Sequence, residues 1–301
     1  MIADASVHGL PVPAGLLGEL TDSTELLDDG PLLRARFEHD GYAFFRGALD
    51  GDLVGAARAE VLARLTEVGE IEPDSDGRFT GRSERDARHP DRGEFWRSVS
   101  TGEHVRRLSH GPDVRQVIGA VVGGGVVPFD YLMLRVAVPG RATEAHYDYP
   151  FFARLHHQVR TVWIPVGDVP MGRGPLFIVE GSNRFDDVIS AMLDFQVTNE
   201  SSRRAAFDQT AIELAQARRT RLLTTDFAAG DVLVFGMYTA HGSFDQHDDN
   251  GIVRISCDAR WQAAHLPLDD RYMGASPSGT TGAGYAQLNG ARPLTEAWHV
   301  R

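Results

Sequence analysis

The chain contains no lysine, so all 30 of its basic residues are arginines. Enzymes that use pyridoxal phosphate need a lysine for the Schiff base, and a Walker-type phosphate loop needs one to contact the phosphates. Both classes are therefore excluded by the residue inventory. We accordingly interpret the glycine cluster Gly123–Gly125 as a turn between valine-rich segments and not as part of a nucleotide-binding motif.

Cysteine is also scarce, and acidic residues outnumber basic ones. The single cysteine, Cys257, has no partner for an internal disulfide, which favours a reducing, cytoplasmic setting. The formal net charge is −12, and no basic cluster is interleaved with aromatic residues, so we expect neither a nucleic acid nor an anionic membrane as partner. No apolar run is long enough to span a bilayer, and residues 1–20 lack the regions of a signal peptide. A small-molecule substrate remains the expected partner.

The remaining sequence is compatible with one domain of 301 residues. After residue 125, short apolar strands separated by glycine-containing turns predict a β-sandwich or barrel. In the strand Val159–Val166, Pro165 indicates an edge strand or a bulge. We divide the chain into a loosely ordered lead-in (1–30), N-terminal helices with a short strand (31–125), the β core (126–265) with a helical insertion (186–221), and a C-terminal tail (266–301).

A His-x-Asp motif stands beside a predicted strand end. In extended chain, the side chains of His146 and Asp148 share one face, so both can reach one ion. A third ligand has to come from a distant strand, and His241 is the best candidate because it follows the turn and strand that begin at Gly230. Two imidazoles and one carboxylate leave three adjacent positions open, which is the arrangement of non-haem Fe(II) oxygenases.

The His-x-Asp pattern alone is weak evidence, because it occurs a second time at His247–Asp249. The second copy lies in a polar run that ends in Asn250-Gly251, which is typical of a solvated loop. Arg254 favours the first copy, since a guanidinium shortly after His241 can form a bidentate pair with a dicarboxylic cosubstrate. An ordinary salt bridge is the alternative interpretation of Arg254.

These features occur in an order that resembles the phytanoyl-CoA dioxygenase family of Fe(II)/2-oxoglutarate oxygenases. The resemblance implies a mainly β fold with flanking helices, built on a double-stranded β-helix of the jelly-roll, cupin-like type. It also implies Fe(II), 2-oxoglutarate and O2 as cofactor and cosubstrates. In two places the chain departs from the family: Asn183 replaces a histidine, and the loop between His241 and Arg254 is slightly long. The matching segments are Phe37–Tyr42, Gly47–Val54, His146–Asp148, Trp163–Val166, Gly174–Leu176, Glu180–Asn183, Gly230–Asp231, His241–Ser243 and Arg254.

The resemblance also assigns roles to individual residues. The metal ligands, which are also the catalytic residues, are His146, Asp148 and His241. Arg254 anchors 2-oxoglutarate. Further candidates for the 2-oxoglutarate site are Trp163, Ser243, Thr161 and Arg135, of which Arg135 has a structural ion pair as its alternative. Four residues that follow the metal motif either border the substrate pocket or pack the barrel: Tyr149, Phe151, Phe152 and Arg154.

The implied reaction oxidises a C–H bond of a small metabolite, such as an amino acid or a natural-product intermediate, and releases succinate and CO2. Because halogenating relatives lack the carboxylate ligand, Asp148 favours hydroxylation, while desaturation, epimerisation and cyclisation remain open. We do not expect an acyl-CoA substrate, since the acidic chain has no basic cluster for the CoA phosphates. Residues 78–97 and 186–221 are candidate lids. Two alternatives lie outside this class: a cupin-type metal enzyme that does not use 2-oxoglutarate, and a binding barrel with a vestigial metal site.

Overall fold

The computed structural model describes residues 5–140, 142–197, 203–275, 277 and 292–296. The strands in this part of the chain are β1 (Ser6–Val7), β2 (Leu10–Pro11), β3 (Leu17–Glu19), β4 (Tyr42–Phe45), β5 (Val126–Ala137), β6 (Arg160–Pro165), β7 (Leu176–Val179), β8 (Leu222–Thr224), β9 (Val232–Gly236), β10 (His241–Ser243) and β11 (Arg254–Ala263). The helices are α1 (Gly30–Asp40), α2 (Gly51–Glu67), α3 (Arg85–Arg88), α4 (Arg92–Ser100), α5 (Glu103–His110), α6 (Pro112–Val122), α7 (Tyr149–Phe152), α8 (Asp186–Met192) and α9 (Ala211–Arg218).

Two sheets form the core. A five-stranded sheet has the order β4-β9-β6-β11-β5, and a four-stranded sheet has the order β10-β7-β8-β3. A buried apolar cluster contains side chains from both sheets, including Trp163 and Leu233 from the first and Ile178 and Leu223 from the second. The two sheets therefore pack face to face. Within the described residues, no helix is long and apolar enough to cross a membrane.

The strand β11 divides the molecule into an apolar side and a polar interior. Successive side chains of a strand point to opposite faces. One face of β11 contributes Ile255, Cys257, Ala259 and Trp261 to the cluster beneath the helices. Buried polar groups are costly unless they are paired, so a polar row inside a fold marks a place where partners or ligands are expected. The opposite face carries such a row, all of it buried: Arg254, Ser256, Asp258, Arg260 and Gln262.

The helices form where the sequence provides caps and an apolar face. The carboxylate of Asp50 accepts a hydrogen bond from the backbone N–H of Asp52 at 2.9 Å and so caps α2. Helix α1 ends at Gly41, whose φ of 78° suits glycine and where a Cβ would lie 2.7 Å from the side chain of Asn183. The Asn183 amide donates to the carbonyls of Glu38 and His39 at 3.2 and 3.3 Å. Asn183, the departure from the family pattern, thus satisfies carbonyl groups at the end of α1.

Two parts of the fold differ from the sequence-based expectation. The described part of the predicted lead-in is structured: β1 and β2 form a hairpin, and β3 pairs in parallel with β8. Pro165 does not mark an edge, because β6 lies between β9 and β11. The pairing of β6 with β9 already ends at Trp163, so the N–H that Pro165 lacks is not needed by that neighbour.

The predicted helical insertion contains α8 and α9, and its residues 198–202 lie outside the described residues. The chain on both sides of that gap contacts the metal motif. The Val197 N–H donates to the carbonyl of Pro150, and the Phe207 N–H donates to the carbonyl of Ala145, both at 3.0 Å. The insertion therefore packs against the segment that carries the predicted ligands.

A buried ion pair connects the helices to residues 292–296, the last segment that the structure describes. The guanidinium of Arg85 donates to Glu70 at 2.5 Å, and both side chains are 0% exposed. The other Glu70 oxygen accepts from the backbone N–H of Leu294 at 3.1 Å, and Arg85 also donates to the carbonyl of Arg292 at 2.8 Å. This pair therefore holds residues 292–294 against the segment that begins at Glu70.

We predict that Arg85→Met lowers the free energy of unfolding by about 3–5 kcal/mol, because it leaves the Glu70 carboxylate buried without its cation. The matched control is Arg88→Met on the same helix, which removes an exposed pair with Glu84 and should cost less than about 1 kcal/mol. Urea denaturation measures both values. Equal stability of the two variants would contradict this assignment.

Candidate metal centre

The two predicted histidine ligands face each other across a backbone bridge. The His146 N–H donates to the carbonyl of His241 at 2.9 Å, and the His241 N–H donates to the carbonyl of His146 at 3.0 Å. Because both residues sit at one antiparallel position, their rings lie side by side, with centroids 4.3 Å apart. Asp148 does not continue the extended chain, since its backbone is helical and it is the N-cap of α7.

The side chains of these three residues converge. Ligand atoms of His146, Asp148 and His241 all lie within 4.8 Å of one another, and all three residues are buried. The His146 Nε2 atom is 3.9 Å from Asp148 Oδ1. Within the described part of the chain, no other group of three or more His, Cys, Asp or Glu side chains comes close enough to hold a metal ion.

Each imidazole is oriented through its Nδ1 atom. His146 Nδ1 contacts the carbonyl of Glu144 at 2.8 Å, and His241 Nδ1 contacts the carbonyl of Thr239 at 3.0 Å. An Nδ1–H bonded to a carbonyl leaves the lone pair of Nε2 for a metal. His146 Nε2 is buried and has no hydrogen-bond partner among the described residues. Burial, with the neighbouring His241, lowers the pKa of His146 to about 3, and burial also lowers the pKa of His241, so both rings are neutral. The three side chains thus fit a divalent metal.

The second oxygen of Asp148 is already occupied. Asp148 Oδ2 accepts hydrogen bonds from Thr161 Oγ1 at 2.5 Å and from Arg260 Nη2 at 2.9 Å. Thr161 and Arg260 are direct cross-strand partners on β6 and β11. Burial alone would raise the pKa of Asp148, but the charge of Arg260 and the hydrogen bond from Thr161 hold it well below its usual range. Asp148 is therefore a carboxylate with only Oδ1 left for a metal.

A small cavity adjoins the two histidines. It contains the side chain of Arg254, which is 3% exposed. One Arg254 nitrogen donates to the carbonyl of Gly174 at 2.9 Å, but Nε has no partner, and no carboxylate among the described residues lies within 4.0 Å. Burial, with the repulsion of Arg135, lowers the pKa of Arg254 to about 10. A buried cation without a counter-charge costs free energy, so an anionic ligand in this cavity would be stabilised by Arg254.

Three other residues predicted for 2-oxoglutarate line the same cavity, namely Trp163, Ser243 and Arg135. The hydroxyl of Ser243 accepts from the Thr143 N–H at 2.8 Å, which leaves its proton available to a ligand. Arg135 also makes the ion pair that was its alternative interpretation, with Asp258 at 2.5 Å. Arg135 thus lines the cavity and makes the structural ion pair, and its role toward 2-oxoglutarate stays a prediction.

Thr161 and the four substrate candidates lie elsewhere. Thr161 contacts Asp148 and does not line the cavity. Tyr149 stacks on Tyr238, and Arg154 pairs with Asp269 at 2.8 Å and with Asp270 at 2.6 Å, outside the metal cavity. Phe151 and Phe152 are buried in an aromatic cluster, so their contacts in this structure are packing contacts.

The interpretation of the second His-x-Asp copy as a loop agrees with its surroundings. His247 is 52% exposed and contacts Ser6 Oγ at 2.6 Å, and Asp248 pairs with Arg173 at 2.8 Å.

The sequence analysis missed three site residues. Thr143 and Asp258 line the cavity, and Arg260 holds Asp148. The signal for Arg260 was its even spacing from Arg254, which places both on one face of β11.

We predict that Thr161→Val weakens the binding of Co(II) or Fe(II) by about 10–100-fold, as is usual when a partner of a ligating carboxylate is lost. Arg260→Gln should weaken it further, since it removes the charged donor. Anaerobic metal titration measures the affinity. Thr224→Val is the matched control, because its hydroxyl is equally buried but donates to the Leu176 carbonyl, away from the ligands. Unchanged affinity in Thr161→Val and Arg260→Gln would show that Asp148 does not depend on them.

Several solved structures share this architecture. The epimerase SnoN in complex with Fe3+, alpha ketoglutarate and nogalamycin RO gives a TM-score of 0.52 at 20% identity, covering 91% of this chain and 94% of that one. The alpha ketoglutarate dependent carbocyclase SnoK from nogalamycin biosynthesis gives 0.51 at 18% identity, covering 82% and 88%. These likenesses confirm the predicted fold, a double-stranded β-helix with flanking helices.

Sequence comparison supplies the family. A similar curated protein is 1-deoxypentalenic acid 11-beta-hydroxylase of Streptomyces exfoliatus, which is 27% identical over 259 residues, or 82% of this chain and 86% of that protein. The profile of the phytanoyl-CoA dioxygenase family (PhyH) matches residues 37–250, a range that contains all three metal-ligand candidates. The predicted enzyme class, a non-haem iron and 2-oxoglutarate-dependent oxygenase, is thereby confirmed. The chain belongs to the phytanoyl-CoA dioxygenase family.

Proposed function

We propose that this protein is an Fe(II)- and 2-oxoglutarate-dependent hydroxylase that inserts oxygen into an unactivated C–H bond of a small metabolite. The observation that supports the proposal most directly is the pairing of two features in one cavity. A buried group of two histidines and one aspartate adjoins a buried arginine that has no carboxylate partner among the described residues.

In this proposal, His146, Asp148 and His241 hold the metal. Bound Fe(II) supplies the activation of O2 and the oxidative decarboxylation of 2-oxoglutarate to succinate and CO2. The chain positions the reactants. Arg254 binds the distal carboxylate of 2-oxoglutarate through a charge-assisted pair, and Ser243 donates a hydrogen bond to it. Trp163 and Leu176 line the walls of this cavity.

Hydroxylation is favoured over its alternatives by the ligand set and by a relative. Asp148 is a carboxylate at the position where halogenating relatives lack one. The relative from Streptomyces exfoliatus is named as a hydroxylase of an organic acid. SnoN and SnoK, which have similar folds, are named as an epimerase and a carbocyclase. Product mass distinguishes these outcomes, since only hydroxylation adds an oxygen atom. A small-molecule substrate and a cytoplasmic location complete the proposal, supported by the net charge of −12 and the single buried Cys257.

One prediction of the proposed function concerns Arg254. We expect Arg254→Met to raise the KM for 2-oxoglutarate by at least about 30-fold, because loss of one partner of a buried charged pair costs 2 kcal/mol or more. The affinity for Fe(II) should not change, since Arg254 does not contact the ligands. Succinate formation at varied 2-oxoglutarate concentration measures the KM. An unaltered KM would favour the alternative of a cupin-type enzyme that does not use 2-oxoglutarate.

Another prediction compares variants of the two His-x-Asp copies. We expect His241→Ala to abolish succinate formation and His247→Ala to leave it unchanged, because only His241 lies among the converging ligands. Succinate formation with a panel of small metabolites also tests the alternative of a binding barrel, which would release none. If the wild-type protein loaded with iron forms no succinate, the proposed function is wrong.

A further inference from the structure

The hairpin of β1 and β2 is bound to one residue of the loop that precedes β11. The turn of this hairpin is His8-Gly9. The carboxylate of Asp245 accepts hydrogen bonds from the N–H groups of His8 at 2.9 Å and of Gly9 at 2.8 Å. It also accepts from the hydroxyl of Ser6 at 2.6 Å, and the N–H of Asp245 donates to the carbonyl of Ser6 at 2.8 Å. These four hydrogen bonds hold the hairpin and the loop together.

The contact between the hairpin and the loop is buried. The side chain of Asp245 is 4% exposed, and Val7 of the hairpin is 1% exposed. Val7 belongs to the apolar cluster that also contains Phe177 and Phe244, whose rings lie 5.0 Å apart. A buried carboxylate that loses its donors is strongly destabilised, so Asp245 keeps its backbone neighbours against the hairpin.

The backbone beside Asp245 lies directly against Gly174. A Cβ atom on Gly174 would lie 2.5 Å from the carbonyl oxygen of Phe244 and 3.0 Å from that of Asp245. Gly174 also has a φ of 65°, which side chains other than glycine rarely adopt. The N–H of Phe244 donates to the carbonyl of the next residue, Pro175, at 3.1 Å. The position of Gly174 is therefore set by the loop backbone that Asp245 anchors.

Gly174 in turn orients Arg254. The carbonyl oxygen of Gly174 accepts a hydrogen bond from Arg254 Nη1 at 2.9 Å, in a buried position. Within the described part of the chain, the guanidinium makes no other hydrogen bond. Since a long side chain with one hydrogen bond takes its direction from that acceptor, the Gly174 carbonyl determines how Arg254 faces the cavity beside the histidines.

These contacts involve a loop whose length departs from the family pattern. The loop between His241 and Arg254 is slightly long, and surface loops are usually more mobile than the elements they connect. Here Asp245 is bound to the hairpin. The next residue, Gln246, is 1% exposed, and its amide donates to the carbonyl of Ile252 at 2.6 Å. The longer loop is therefore anchored at two consecutive residues.

We propose that Asp245 is a positioning residue for 2-oxoglutarate, and that the hairpin acts through Asp245 and Gly174 to orient Arg254. A misplacement of about 1 Å in a binding group can cost up to about 100-fold, so small shifts of this loop matter. The hydrogen bonds that hold the three metal ligands do not involve the hairpin. This inference rests on the proposed function, because it assigns a role toward the cosubstrate of that reaction.

The binding test titrates the Fe(II)-loaded protein with 2-oxoglutarate under anaerobic conditions and follows the visible absorbance that develops on binding. Asp245→Asn should raise the Kd for 2-oxoglutarate about 3- to 30-fold, because its amide presents N–H groups to the donors of the hairpin. Gly174→Ala should also raise it. Ser6→Ala removes one of the four hydrogen bonds and should cause a smaller rise, which guards against misfolding of the other two variants. The affinity for Fe(II) should stay unchanged in all three.

The matched control is Asp231→Asn. Asp231 is 1% exposed, and its carboxylate also accepts from backbone N–H groups, of Gly47 at 3.0 Å and Ala228 at 2.9 Å, but it does not line the cavity. The same substitution there should leave the Kd for 2-oxoglutarate unchanged even if it lowers the stability. In steady-state assays, Asp245→Asn should raise the KM for 2-oxoglutarate more than it lowers kcat.

A double-mutant cycle distinguishes positioning from a general loss of structure. If Asp245 acts through Arg254, Asp245→Asn should not raise the Kd further in an Arg254→Met background. A wild-type Kd in Asp245→Asn, an equal rise in Asp231→Asn, or the same fold-rise with and without Arg254 would overturn this inference. Wild-type iron-loaded protein that binds no 2-oxoglutarate would instead contradict the proposed function, and the inference with it.

Discussion

The metal centre depends on two cross-strand pairs, one on each side of Asp148. The bridge between His146 and His241 places two neutral imidazoles side by side. The pair of Thr161 and Arg260, on β6 and β11, engages the outer oxygen of Asp148 and leaves the inner oxygen near the histidines. Because strand register fixes both pairs, the geometry of the three ligands is a property of the sheets. A carboxylate held in this way offers one oxygen and leaves the remaining metal positions to cosubstrate and O2.

The charges in the interior follow the same division. The buried guanidiniums of Arg254 and Arg260, with that of the partly buried Arg135, face two buried carboxylates, of Asp148 and Asp258. Arg135 and Arg260 each have a carboxylate partner, and Arg254 has none among the described residues. The arginine without a partner is also the one in the cavity beside the histidines. In a chain without lysine, every such cation is a planar donor suited to carboxylates, which agrees with a dicarboxylic cosubstrate.

Local patterns in the sequence predicted the elements well but not their long-range pairing. Strand β6 lies within the predicted strand Val159–Val166, and the order of the three ligands and Arg254 indicated the family. The parallel pairing of β3 with β8 joins segments about two hundred residues apart, which no local pattern encodes. The resemblance made Thr161 a candidate for the 2-oxoglutarate site, yet sequence does not show which of two neighbouring groups a side chain contacts, and Thr161 contacts Asp148. Arg260 was overlooked for the related reason that its role exists only through its register with Thr161.

The most direct test of the central claim, that one site holds iron and 2-oxoglutarate together, is an anaerobic titration of the Fe(II)-loaded protein with 2-oxoglutarate. Chelation of protein-bound Fe(II) by this cosubstrate produces a metal-to-ligand charge-transfer band in the visible spectrum. The account predicts that the band appears and saturates at one equivalent of 2-oxoglutarate per iron. Fully iron-loaded protein that develops no such band would contradict it.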